Sequence, residues 1–212
     1  MKKIIIIFLY FILGFTGAKA LIQVDITRGN LDPLPIAISP LHVDTASQKS
    51  DLFDINKLGI EISKIIERNA KSTGLFNPLD KDAFVQKPDI AHLKPRFEDW
   101  RLIKAQALVT GKLLIKDNKL KVEFRLWDLT AAKEMLALSF TTTPANWRRV
   151  AHIISDKVYE RLTGEKGYFD TRIIYVSEEG PKTARAKKLA IMDQDGFNTK
   201  YLTLGNELVL TP

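Results

Sequence analysis

Ala107-Leu-Val-Thr-Gly-Lys-Leu-Leu-Ile-Lys-Asp-Asn-Lys-Leu-Lys-Val-Glu-Phe-Arg-Leu-Trp-Asp128 reads as a β-hairpin. Its second half alternates cleanly. Leu120, Val122, Phe124 and Leu126 share one face, and Lys121, Glu123 and Arg125 share the other, which is the pattern of a half-buried antiparallel strand. Lys116-Asp117-Asn118 supplies the tight polar turn between the halves. Lys133 to Thr143 predicts a third strand, returning across a loop at Leu129-Thr-Ala-Ala132. Three consecutive strands of this kind form the antiparallel part of a sheet.

Two amphipathic helices flank these strands. Upstream, Leu52 to Thr73 carries Ile55, Leu58, Ile62, Ile65, Ile66 and Asn69 at three-and-four spacing, with Lys57, Glu61, Lys64 and Glu67 opposite. Asp51 or Asp54 suits its N-cap and Gly74 its C-terminal stop. Downstream, Trp147 to Leu162 has the stripe Val150, Ile153, Ile154, Val158 and Leu162, between a candidate cap at Asn146 and a stop at Gly164. Leu34 to Val43 predicts a further strand that ends or bulges at Pro40, because proline is excluded from central strands. Leu75 to Asp80 suits a short edge strand or turn. Short helices are expected over Lys81–Phe84 and Phe97–Lys104, the latter around Trp100. The expected class is α/β, an α+β sandwich: a mixed sheet with two main helices packed on one face, spanning residues 34–164.

After Gly164-Glu-Lys-Gly167 the texture changes. Arg172–Ser177, Lys188–Met192 and Thr199–Thr203 read as short strands between turn-rich segments, and Glu207–Leu210 as the start of a fourth. Four short strands in about forty residues is the size of one propeller blade, and blades are stable only within a ring. Residues 165–212 are therefore expected to be a linker and the first-blade strands of an incomplete β-propeller.

The first twenty residues read as a secretory signal. Lys2 and Lys3 precede an apolar run from Ile4 to Phe15, and Ala18-Lys19-Ala20 is a small-x-small cleavage pattern, with the cut expected after Ala20. The run is about twelve residues, whereas a membrane span needs roughly 20. Lys2, Lys3 and Lys19 leave with the signal and no acid does, so the net charge of +7 falls to +4 in the mature chain. The remaining charges are interleaved. The densest basic stretch, Lys182 to Lys188, reads as a solvated loop, so nothing resembles the concentrated basic face with stacking aromatics that nucleic acid requires. The chain has no cysteine. Stability must come from an ordinary apolar core, and thiol chemistry is excluded.

No catalytic or metal constellation emerges. His42, His92 and His152 are far apart in sequence and form no metal-binding helix motif. His152 reads as a boundary residue beside the apolar stripe. Asp193 and Asp195 precede Gly196 in what reads as a plain hairpin turn, without the further oxygens of a calcium loop. Glu178-Glu179-Gly180 reads as polar loop. Trp100, Trp127 and Trp147 sit in or beside regular elements and read as packing residues. Neither a nucleophile elbow nor a phosphate loop is present. No cofactor is expected.

Four segments, in order and with consistent spacing, resemble one family. Phe76-Asn-Pro-Leu-Asp80, Leu162-Thr-Gly-Glu-Lys-Gly167, Thr171-Arg-Ile-Ile-Tyr-Val176 and Asp193-Gln-Asp-Gly-Phe-Asn198 are similar to the TolB family, over essentially the whole mature chain. The resemblance implies an N-terminal α/β domain joined to a six-bladed propeller. It also implies a non-enzymatic periplasmic adaptor of the Tol-Pal envelope system, serving outer-membrane integrity and cell division. The family's mobile N-terminal segment, which binds the C-terminal domain of TolA, maps onto Leu21, Ile22, Gln23, Val24, Asp25, Ile26, Thr27, Arg28 and Gly29, and extends to about Pro33. Ile22, Val24 and Ile26 alternate onto one face, and a strand at a free terminus can add to a partner's sheet edge. The competing reading is that it pairs within its own domain. The family continues into Ser-Pro-Asp-Gly repeats where this sequence stops at Leu210-Thr-Pro212, so it reads as a truncated member. Pal binding, which the family places on the propeller, is not expected of it. The alternatives are a non-functional remnant and an accessory domain of a propeller-linked periplasmic hydrolase.

Overall fold

The computed structural model describes residues 32–48 and 54–205. The expected signal, the segment Leu21–Gly29 and the expected strand Glu207–Leu210 lie outside the described residues.

The sheet predicted from the hairpin forms in register. β4 (Ala107–Lys116) and β5 (Lys119–Asp128) pair antiparallel from Ala107↔Asp128 to Lys116↔Lys119. Asp117 and Asn118 both take positive φ, 50° and 55°. That is the geometry of a two-residue turn whose twist matches the flanking strands. β6 (Lys133–Thr142) continues the meander, with a bulge opposite Leu126/Trp127. On the other side of β4, β1 (Leu34–Ile38) pairs in parallel with both β4 and β3 (Phe76–Pro78). The chain breaks at Pro40 as expected and resumes as β2 (His42–Val43), also parallel to β4. The order is β3-β1-β4-β5-β6, a mixed sheet.

Helix α1 (Ile55–Ser72) is capped by the Asp54 side chain, which accepts from the Asn56 N–H at 3.0 Å. Helix α4 (Trp147–Thr163) ends at Gly164 with φ 82°. Both pack on one face of the sheet. Ile62, Ile65 and Ile66 of α1 and Val150, Ile154 and Val158 of α4 meet Leu113, Val122, Phe124 and Leu126 in the main core. Asn146 occupies the N-cap position of α4, but its amide turns back to the hydroxyls of Thr142 and Thr143 instead of capping the helix.

The opposite face carries a smaller core. Short helices α2 (Pro88–Ala91) and α3 (Phe97–Leu102) bring Ala91 and Trp100 against Leu108, Trp127 and Leu129. Helix α2 is a single turn and has no periodicity to predict it. Gln86 organises this layer: its Oε1 accepts from the Trp100 indole at 3.0 Å and from the Arg96 N–H at 2.9 Å. Trp127 donates to the Thr110 hydroxyl at 2.9 Å. Trp100 and Trp127 are thus packing residues with satisfied indoles.

Beyond Gly164 a second, antiparallel sheet follows: β7 (Arg172–Glu179), β8 (Ala186–Asp193) and β9 (Lys200–Tyr201). The basic stretch Lys182–Lys188 is not wholly a loop, because Ala186 to Lys188 belong to β8. Likewise Glu178 and Glu179 lie in β7, where they pair with Arg185, Lys187 and Lys188 across the hairpin. Cross-strand opposite charges extended both strands beyond the expected bounds.

Candidate functional site

The nine residues expected to bind a partner, Leu21 to Gly29, lie outside the described residues. The chain they lead into enters the sheet at Leu34, whose N–H donates to the Leu75 carbonyl at 2.9 Å.

Among the described residues, polar side chains concentrate where the second sheet meets helices α1 and α4. The β8–β9 turn, Asp193 to Asn198, lodges against α1 and α4. The turn itself is regular. The Asp193 N–H donates to the Phe197 carbonyl at 2.8 Å, and Gly196 takes φ 85°, a conformation that favours glycine. Its Asp195 is no ordinary turn residue. That carboxylate is almost fully buried and accepts from Arg148 Nη2 at 2.5 Å, with Arg68 Nη2 at 3.5 Å and His152 Nε2 at 3.6 Å from the same oxygen. Arg148 also lies over the Phe197 ring, 3.9 Å from its centre.

Behind the ion pair runs an ordered amide network. Gln194 Nε2 donates to Asn69 Oδ1 at 3.2 Å. Asn69 Nδ2 donates to the Ser155 hydroxyl at 2.9 Å and faces His152 Nδ1 at 3.0 Å. Ser155 passes its own hydrogen to the Ala151 carbonyl. His152 is therefore not the boundary residue expected from its position beside the stripe. It is 2 % exposed, and burial, the largest cause, holds its pKa below the ordinary imidazole value. Asn69 sits at a core position of α1 and His152 just beside the α4 stripe. A polar residue in each place is the sequence signal of a buried hydrogen-bonded contact.

The segment leading into β7 is held from α4 as well. Asp156 accepts the Phe169 N–H at 2.6 Å and the Asp170 N–H at 3.0 Å, while Arg149 grips the Asp170 carboxylate. Phe169 is buried and packs edge-on to Tyr159.

His152, Asp193 and Asp195 offer ligand atoms within 4.8 Å of one another. They make a poor cation site, because Arg148 and Arg68 already neutralise Asp195 and Asn69 occupies the Nδ1 side of His152. The other two histidines, remote in sequence, stack with ring centres 4.6 Å apart, His42 from β2 and His92 from the end of α2. No helix among the described residues is long and apolar enough to cross a membrane.

The model of the TolB amino-terminal domain matches residues 22–135, more than half of the chain. The chain belongs to the TolB family. The TolB beta propeller domain model matches residues 159–212, a stretch that contains the second sheet and the turn carrying Asp195. The Tol-Pal system protein TolB of Pelagibacter ubique (strain HTCC1062) is 70% identical over 208 residues, 97% of this chain and 47% of that protein. The chain thus spans about half the length of that relative. TolB from Acinetobacter baumannii shares the fold, with a TM-score of 0.65 at 22% identity, covering 85% of this chain and 41% of that one. TolB family proteins are periplasmic and non-enzymatic, and this chain is a TolB homologue of the Tol-Pal system.

Proposed function

We propose that this chain is a periplasmic adaptor of the Tol-Pal system that binds the C-terminal domain of TolA through Leu21–Gly29, and so contributes to outer-membrane integrity and cell division. The 70% identity to a Tol-Pal system protein over 97% of the chain carries the reading. The alternation of Ile22, Val24 and Ile26 supports the mode of binding, since an extended segment adds to a sheet edge by main-chain hydrogen bonds with alternate side chains facing the partner. In this reading residues 1–20 direct export and are removed after Ala20, freeing the segment as a terminus. Residues 34–164 form the scaffold that carries it, and residues 165–212 contribute the first propeller strands. The adaptor works without cofactor or catalysis.

Calorimetry of the mature chain against the TolA C-terminal domain, with and without residues 21–33, tests the reading. Binding that disappears with the deletion supports it. Equal binding by both forms moves the contact elsewhere, and no binding by either leaves the chain without this function.

A further inference from the structure

We propose that the contact between the Asp193–Asn198 turn and helices α1 and α4 is a proton-operated latch, in which uptake of a proton by His152 releases the turn. The inference rests on the network itself and stands whether or not the chain binds TolA.

The network as arranged assigns a role to each ring nitrogen. Asn69 Oδ1 is taken by Gln194 Nε2, a donor, so the amide end facing His152 and Ser155 is Nδ2. A donor opposite Nδ1 makes that nitrogen the lone-pair side, and the hydrogen of the neutral ring sits on Nε2, which lies 3.6 Å from Asp195 Oδ2 and makes no hydrogen bond. A second proton must therefore enter at Nδ1, where it meets the Asn69 N–H head-on. Turning the amide over relieves that clash, but it sets Nδ2 against the Gln194 donor and leaves Ser155 without its donor, since the Ser155 hydrogen is committed to Ala151. Either response breaks the existing connection between α1 and the turn, which re-forms only if the Gln194 amide also turns over and the Ser155 hydroxyl leaves the Ala151 carbonyl.

The surrounding charges are balanced. Asp195 and Asp193 on the turn and Asp170 on the preceding segment attract a proton, while Arg148 on α4 repels it. Arg68 on α1 shares Asp195, Arg172 on β7 lies 3.9 Å from Asp193, and Arg149 holds Asp170. Each acid near the ring thus has its own cation, which leaves burial in control, and burial depresses the His152 pKa. A group whose pKa is lowered in the docked state binds its proton more readily once released. Docking is at full strength above the free-histidine range, about pH 6.5. It weakens as pH falls below that, by up to about tenfold per pH unit for one proton.

The test is an NMR titration of the isotope-labelled 212-residue chain from pH 7.5 to 5.0. It follows the His152 ring and the nuclear Overhauser contacts between the Phe197 ring and the Arg148 and Arg68 side chains. The latch requires these contacts to fade with the His152 midpoint while contacts between Ile62, Ile154 and Val122 in the main core persist. In His152→Gln they should survive to pH 5.0. Phe197 contacts that outlast titration of the ring overturn the proposal, as does a ring that stays neutral to pH 5.0 with the contacts intact, or loss at the same pH in His152→Gln. Should that variant fail to fold, the wild-type midpoints decide alone.

Discussion

The α-carbon of Gly59, in the first turns of α1, lies directly against the backbone carbonyl of Leu41, whose own N–H donates to the Gly59 carbonyl at 3.2 Å. A Cβ at this position would fall well inside van der Waals contact with that oxygen. The helix can approach the chain between β1 and β2 only because glycine stands there. Gly59→Ala should therefore destabilise the protein by about 1–3 kcal/mol despite alanine's better helix propensity. Urea denaturation of the two proteins checks this; a stabilised variant would contradict it.

Gln86 holds two donors with one oxygen, and it is 3% exposed. Gln86→Leu keeps the volume and strands both the Trp100 indole N–H and the Arg96 backbone N–H. The expected loss is about 2 kcal/mol or more. It should appear in the denaturation midpoint and as a change in the near-ultraviolet circular dichroism of the tryptophans.

Asp156 is the joint's other anchor. Asp156→Ala removes a charged acceptor from the Phe169 and Asp170 amides, and hydrogen bonds to charged groups contribute about 1.5–3 kcal/mol each. Amide exchange at Phe169 and Asp170 should rise sharply while exchange within β4 and β5 stays unchanged. Exchange at Phe169 and Asp170 unchanged from wild type would show that Phe169 packing alone holds the segment.

If Leu21–Gly29 binds by strand addition, its main-chain N–H groups matter as much as its side chains. Val24→Pro deletes one such donor and fixes φ. Affinity for the TolA C-terminal domain should fall at least about tenfold, the equivalent of one lost hydrogen bond. The melting temperature should not move. A lower melting temperature would instead indicate that the segment pairs within its own domain.

Much of the α+β layer was legible because its signals are local. The Asp117–Asn118 turn, the alternation from Leu120 to Leu126 and the stripes of α1 and α4 each declare themselves within ten or so residues. The second sheet is legible as strands: β7 and β8 are longer than expected because Glu178, Glu179 and Lys187 read as loop until their cross-strand positions are known, while β9 keeps only Lys200–Tyr201 of the expected Thr199–Thr203. The joint was not legible. Asp195 reads as a turn residue and is one, but the turn's burial depends on Arg148, 47 positions away, and on Asn69, further still. Nothing in a short window announces such partners. The His42–His92 stack was missed for the same reason.

That separation carries a consequence for the order of assembly. Gln194 meets Asn69 across 125 positions of chain, whereas β4, β5 and β6 pair through short turns. An exported chain reaches the far side of the membrane amino end first, and domains fold in that order. Helix α1 emerges long before Gln194, and α4 can dock beside it once residue 163 has followed. The slot for the turn is then built before the turn arrives. The first propeller strands would meet a finished template, with Arg68, Arg148 and Asn69 already in position to set where the first turn lands.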